Sequence, residues 1–400
     1  MLDKLKKKIA NSRIAPLFIP DNRCGRIISN INLDLTRSQK RVLLVYIDMI
    51  DAGYQVLQDD CQGNSGSIHT NRYELFQMVR SMIELDFCID VCACDDIQAQ
   101  KYIEEREYDI IIGLGEVFRW TIQHKNAYKI IYMTENPYSV SRQREWERIQ
   151  YLEERTGKKR DFERTGMFFA EGDEEKVDAI ICLGDPRYYS HLSKPVERIY
   201  PSAFYNSKFK LENVGRRKSC FFVFGTDGLV HKGIDLLVEV FLKHPEWDLY
   251  LCGYNITEAI RNTLKVDITD TNIHDCGYIR ADSDAFLELV NTCQFILLPS
   301  CSEATSTAVL TGMRHGLIPV VMHGNGFDEM NNICHFFEGY TLEEIERTIE
   351  CLYKKDTMEI KEEERKIFEF ANQVFTLENY TLSLRNALQS IIDGETRYEY

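Results

Sequence analysis

Four hundred residues with 44% hydrophobic and 11% aromatic content can bury a sizeable core, and the length favours two domains over one. Forty-eight basic against 63 acidic residues leave a formal charge of -15, which repels phosphate backbones and excludes nucleic acid as a partner. Thirteen cysteines, several inside apolar runs (Cys88, Cys182, Cys220, Cys252, Cys293), no secretory signal ahead of them and no apolar run near about 18 residues predict a reduced, cytoplasmic protein without a membrane span.

The chain begins with MLDKLKKKIANSRIAPLF, basic and apolar, which reads either as a solvated terminus or as a peripheral contact with an anionic membrane surface. RVLLVYI (41–47) is a predicted strand, followed by the polar glycine loop QGNSGSIHTN (62–71) and a predicted helix RYELFQMVRSMIELD (72–86) that leads into FCIDVCA. A helix near 97–106, the strands YDIIIGLG and YKIIYMTE, the charged helix SRQREWERIQYLEERTG and the strand VDAIICLG complete the first half. The polar stretch NSKFKLENVGRRKS (206–219) lacks hydrophobic periodicity and reads as a boundary.

Beyond it, short apolar runs alternate with helical periods. CFFVF precedes KGIDLLVEVFLKH, whose Ile234, Leu237, Val238 and Phe241 fall on one helical face. LYLC, a helix near 256–264, NIHDCG, the helix SDAFLELVNTC, FILLP, a short helix starting near Ser306, LIPVV and TLEEIERTIECLY follow, the last opening with a predicted capping box from Thr341 to Glu344. Continuous apolar strands between amphipathic helices imply a parallel sheet covered on both faces, so each half is a doubly wound α/β unit. The expected domains are residues 1–206 and 207–375, and the final stripe Tyr380, Leu384, Leu388 and Ile391 needs a surface to cover.

Ligands of such sheets bind outside the carboxyl ends of the strands. In FGTDGLVHKG, Gly225, Gly228 and Gly233 let backbone approach a ligand, and Lys232 puts a cation at a helix start, where it opposes the macrodipole unless an anion is bound. Diphosphate is the natural anion; a surface lysine beside a turn is the bland alternative. In PSCSEATSTAVLTGMRHGLIPVV, Glu303 lies among Ser302, Ser306 and Thr307 ahead of a helix. An ionised carboxylate only accepts hydrogen bonds and suits a hydroxyl-rich ligand, although Ser306 or Thr307 can equally be a helix cap with Glu303 as its acid. CGYIRADSD offers Tyr278 to a nucleobase or to rim packing. Cys92 and Cys94 lack zinc-site spacing, and Asp59-Asp60 and Asp95-Asp96 read as loop charges, so no metal is expected.

In that order and spacing, FGTDGLVHKGIDLLVEVF, LYLCGYN, NIHDCGYI and PSCSEATSTAVLTGMRHGLIPVV resemble the donor domain of GT-B-fold glycosyltransferases of the retaining family 4 group, from residue 219 to about 350. The first half resembles one branch of that family more weakly. The resemblance implies two Rossmann-like domains facing a cleft, with 376–400 crossing back onto the first. It implies transfer of a sugar, with retention and without metal, from a UDP- or GDP-sugar donor to the hydroxyl of a glycan or lipid-linked acceptor. The implied setting is bacterial surface polysaccharide assembly at the inner face of the cytoplasmic membrane.

Carried over residue by residue, the diphosphate lysine falls on Lys232 and the donor-sugar glutamate on Glu303, with Gly225, Gly228, Gly253, Tyr278, Ile279, Ser306 and Thr307 also on the donor side. The second glutamate of the family's Glu-x7-Glu motif, which holds ribose, falls on Thr311, a departure. The family's arginine after the first strand corresponds to Thr226 or to nothing. On the acceptor side the resemblance places His69 and Asn71 at a helix start and Glu135 of YMTENP where many relatives carry histidine. A non-catalytic nucleotide-sugar binder and a sugar-nucleotide epimerase remain open. A dinucleotide oxidoreductase, suggested by IIGLGEVF, lacks the third glycine and the ribose acid.

Overall fold

The computed structural model describes residues 27–47, 70–225 and 228–398. The basic segment 1–18, His69 and Thr226 lie outside the described residues.

The first half forms strands β1 (Ile27–Ile31), β2 (Arg41–Tyr46), β3 (Cys88–Ala93), β4 (Ile110–Gly113), β5 (Tyr128–Met133), β6 (Ala179–Cys182) and β7 (Val196–Arg198). Their spatial order is β1-β3-β2-β4-β5-β6-β7, parallel throughout except for β1 against β3. Helices α1 (Thr70–Glu84), α2 (Ala99–Glu104), α3 (Gly115–His124) and α4 (Tyr138–Thr156) connect them. The β2 residues Val42, Leu43, Leu44 and Val45 are wholly buried, as a parallel strand covered on both faces requires.

The second half forms β8 (Arg217–Phe224), β9 (Asp248–Cys252), β10 (Ile273–Asp275), β11 (Cys293–Leu298), β12 (Ile318–Met322) and β13 (His335–Phe337), all parallel in the order β10-β9-β8-β11-β12-β13. That is the doubly wound order in which the chain leaves the sheet centre in both directions, with its switch point between β8 and β11. Helices α5 (Ile234–Phe241), α6 (Ile256–Leu264), α7 (Asp284–Thr292), α8 (Thr307–Arg314), α9 (Leu342–Lys354) and α10 (Thr357–Val374) complete it. The predicted capping box opens α9: Glu344 N–H donates to the Thr341 hydroxyl at 3.3 Å and Thr341 N–H to the Glu344 carboxylate at 3.0 Å.

The last helix, α11 (Leu377–Tyr398), returns to the first sheet. Its stripe of Tyr380, Leu384, Leu388 and Ile391 is buried in the first core. Full burial of such a side chain contributes about 1.5–3 kcal/mol, which makes this helix part of the first unit rather than a tail. It is also tied by a polar link in that core. The hydroxyls of Tyr132 and Tyr380 lie 2.9 Å apart, and Tyr46 donates to the buried carboxylate of Glu74 at 2.5 Å. Burial without a cation raises the Glu74 carboxyl to about 7.

The sequence reading does not anticipate β1, β7, β13 or α3. The three strands are short edge strands with polar positions, such as Asn30 at φ 60° in β1, and leave no apolar run to detect.

Candidate functional site

The loops leaving β8, β11 and β12 meet at the switch point of the second sheet and face the loops leaving β5 and β6 of the first. Lys232, just before α5, and Glu303, just after β11, are brought together there, with Lys232 Nζ donating to Glu303 Oε1. Ser300 Oγ donates to the same oxygen at 2.9 Å. Asn325, beyond β12, supports the turn from below: its Oδ1 accepts from Glu303 N–H at 3.0 Å and its Nδ2 donates to the Ser300 carbonyl at 2.9 Å. Burial would push the Glu303 carboxyl up, yet Lys232, then His231 and Arg164, outweigh it and hold it at about 2. Glu303 is therefore an ionised acceptor held by the donors Lys232 and Ser300.

His231 lies under this pair. Its Nε2 donates to the Ser302 carbonyl at 2.6 Å and stands 3.8 Å from Glu303 Oε1, while Nδ1 stands 3.5 Å from the Glu145 carboxylate. Burial works against a charge on the ring, but bonds to Cys301 and Glu145 prevail and raise it to about 10. Glu145, on α4, in turn accepts from the N–H groups of Glu163 at 2.6 Å, Arg164 at 3.1 Å and Thr165 at 2.9 Å. Glu163 completes the seam, accepting from Val230 N–H and His231 N–H, both at 2.9 Å.

Glu135, at the end of β5, lies on the opposite wall, 3.6 Å from Arg164 Nη2. Burial raises its carboxyl although Arg164 lowers it, and the charge of Glu303 raises it further. Asn136, beside it, donates to Ser302 Oγ at 3.1 Å and to the Gly324 carbonyl at 3.0 Å. Ser302 thus faces the first unit. Further bonds join the walls, from Thr305 Oγ1 to the Leu183 carbonyl at 2.7 Å and from Arg198 to the Gly326 carbonyl at 2.8 Å. Helix α4 bridges them: Arg148 donates to the Pro299 carbonyl, and Arg155 bonds Asp235 at 2.6 Å.

The remaining predicted residues divide. Gly225 and Gly228 take φ of 83° and 89°, so the bare loop after β8 adopts backbone that side chains resist. Gly253 N–H donates to the Gly277 carbonyl at 3.0 Å, tying the loops after β9 and β10. Tyr278 is exposed and stacks on Tyr254 with ring centroids 4.6 Å apart and planes within 7°, an aromatic pair at the mouth of these loops. Ile279 packs against the second core and supports its loop. Ser306 occupies the N-cap position of α8 without a side-chain capping bond, and Thr307 begins the helix; both are half-buried. Asn71 is half-buried in the first turn of α1.

Thr311 departs from expectation. It is buried, and its hydroxyl accepts from Phe204 N–H at 3.3 Å, so it anchors the chain entering the second unit instead of standing open to a ribose. The sequence reading missed Arg164, Asn325, His231 and Glu145. Only His231 had a local signal, its place beside Lys232. Among the described residues, no group of three metal-ligating side chains is placed to hold an ion, and no helix is long and apolar enough to cross a membrane.

No protein family matches the chain, nor does any curated protein sequence. Solved structures do. Anabaena HepE, in complex with UDP and glucose, aligns at TM-score 0.53 and 10% identity over 88% of this chain and all of its own. Sucrose-phosphate synthase from Thermosynechococcus elongatus aligns at 0.57 and 11% identity over 89% of this chain and all of its own. The N-terminal domain of Candida albicans trehalose-6-phosphate phosphatase aligns at 0.52 and 11% identity over 91% of this chain and 99% of its own. At such identities the likeness concerns architecture alone, and with the two facing doubly wound units and the returning helix α11 it establishes that this chain has the GT-B fold.

Proposed function

We propose that the protein is a metal-independent, retaining glycosyltransferase that moves a sugar from a nucleoside diphosphate sugar to an acceptor hydroxyl. The observation that carries this reading is the Lys232 and Glu303 pair at the switch point, beside a glycine loop with bare backbone. A departing diphosphate gathers negative charge on oxygen, and Lys232, the N–H groups at the start of α8 and the loop from Gly225 to Gly233 stabilise it. Glu303 accepts from donor-sugar hydroxyls and offsets positive charge at the anomeric carbon. Glu135 accepts from the incoming hydroxyl on the opposite wall. Bonds already join the two walls, and a cleft closed around donor and acceptor would favour transfer over hydrolysis by excluding water.

Among the fold neighbours, HepE is seen in complex with UDP and glucose and another is a sucrose-phosphate synthase, which supports a sugar nucleotide as donor here. The acceptor we propose is a glycan or lipid-linked saccharide of bacterial surface polysaccharide assembly, met at the inner face of the cytoplasmic membrane. Thermal-shift screening with UDP-, GDP-, ADP- and CMP-sugars tests the donor side, because binding to the folded state alone raises the melting temperature. A shift with one nucleotide class is expected; none with any of them overturns the reading.

A second reading, a nucleotide-sugar binding protein without transfer, takes Thr311 and Thr226, where the resemblance expects glutamate and arginine, as decayed chemistry. Donor binding without product, across a panel of glycan acceptors, would select it.

A further inference from the structure

A diphosphate brings at least two negative charges to a loop whose lysine is already bonded to Glu303, and the sequence 225–233 holds no arginine. We propose that Arg164, carried by the stretch after α4, is a second diphosphate-binding cation of the donor site. The proposal rests on the nucleotide-sugar reading above.

Its position is fixed from several sides. A Cβ placed on Gly228 would come within 3.3 Å of Arg164 Cδ and 3.4 Å of Cγ, so the stem of this arginine lies directly over the bare glycine of the loop that also carries Lys232. The guanidinium reaches Glu135 at 3.6 Å, and its charge is felt by Glu303. It therefore lies beside Glu135 and within electrostatic reach of Glu303.

The backbone under it is held by charge. Glu145, itself buried, takes the N–H groups of Glu163, Arg164 and Thr165, while Glu163 takes those of Val230 and His231. These bonds sew loop 163–165 to loop 228–231, and Arg164 projects from the seam. Two buried or half-buried acids thus fix the backbone from which Arg164 extends. A planar guanidinium matches two phosphate oxygens at once, which suits it to a diphosphate. The result is a donor site assembled from both halves of the chain.

Calorimetric titration of UDP, GDP and ADP, with uridine, guanosine and adenosine as controls, tests this on wild type, Arg164→Ala and Arg164→Lys. Arg164→Ala should weaken whichever nucleoside diphosphate the wild type binds by about tenfold or more, leave the matching nucleoside unchanged, and be partly rescued by Arg164→Lys. Equal diphosphate affinity in wild type and Arg164→Ala overturns the proposal. So does an equal loss for diphosphate and nucleoside, which would mark Arg164 as a loop support. If the wild type binds no nucleoside diphosphate at all, the reading of the site fails, a result distinct from either.

Discussion

The carboxylate of Glu145 lies 3.5 Å from His231 Nδ1, while the other ring nitrogen donates to the Ser302 carbonyl at 2.6 Å, so both nitrogens of one imidazole face acceptors. The groups around the ring are Glu145 from α4, Cys301 and Glu303 from the loop after β11, and Lys232 beside it in sequence. Its raised value of about 10, against an ordinary 6.5, means the folded protein holds a proton that the unfolded chain releases first. The stabilisation is fully present below pH 6.5 and is lost as pH rises toward 10. His231→Gln should therefore flatten the fall in melting temperature between neutral and alkaline pH, and ring nitrogen resonances of the wild type should report an imidazolium at pH 8. A neutral ring at that pH would refute the assignment.

Lys232→Ala and Glu303→Gln should each lower kcat by roughly 10²–10³-fold, the usual scale for removing one group that stabilises developing charge. Lys232→Ala leaves Glu303 with Ser300 Oγ at 2.9 Å, so the fold should survive, as circular dichroism would show. Near wild-type turnover in either variant would remove that residue from the site.

Glu74 gives a pH dependence of the same sign as His231 but in a lower window, from a group buried neutral instead of charged. Its folded value near 7 exceeds the ordinary 4.5, so stability is lost as pH rises from 4.5 through 7, and the penalty is complete above that. Glu74→Gln keeps an acceptor for the Tyr46 hydroxyl and removes the charge. Denaturant melts should show the variant more stable than wild type at pH 8, by on the order of 2–3 kcal/mol, with the gap closing below pH 5.

Gly233 precedes α5 with φ of 71°, and a Cβ there would meet the Pro299 carbonyl oxygen at 2.5 Å. Both the left-handed backbone and the close approach penalise a side chain. Gly233→Ala should cost at least about 1–2 kcal/mol in chemical denaturation and weaken donor binding, because Lys232 and the Arg148 contact with Pro299 move with it.

Strands β2, β8 and β11 were legible because each is a continuous apolar run bounded by polar turns, and α9 because Thr341 and Glu344 cap it locally. That Lys232 and Glu303 belong to one site was readable only from the resemblance carried by the order of four motifs; the bond between them was not. Arg164 was not, since its meaning lies in Gly228, far away in sequence, and its own surroundings read KKRDFERTG, a plain charged loop. Thr311 misled for a related reason: spacing placed it on the right helix but could not reveal that Phe204 N–H would occupy its hydroxyl.

Helix α4 carries one more consequence. It leaves the first sheet after β5, ties itself to Pro299 and Asp235 of the second, and the chain then returns to bury Phe169 in the first core. The polypeptide is therefore laced between its two bodies well before the polar stretch 206–219, and α11 laces it again at the other end. Cutting within 206–219 would therefore not yield two independent halves, because each body keeps residues from both sides of the cut.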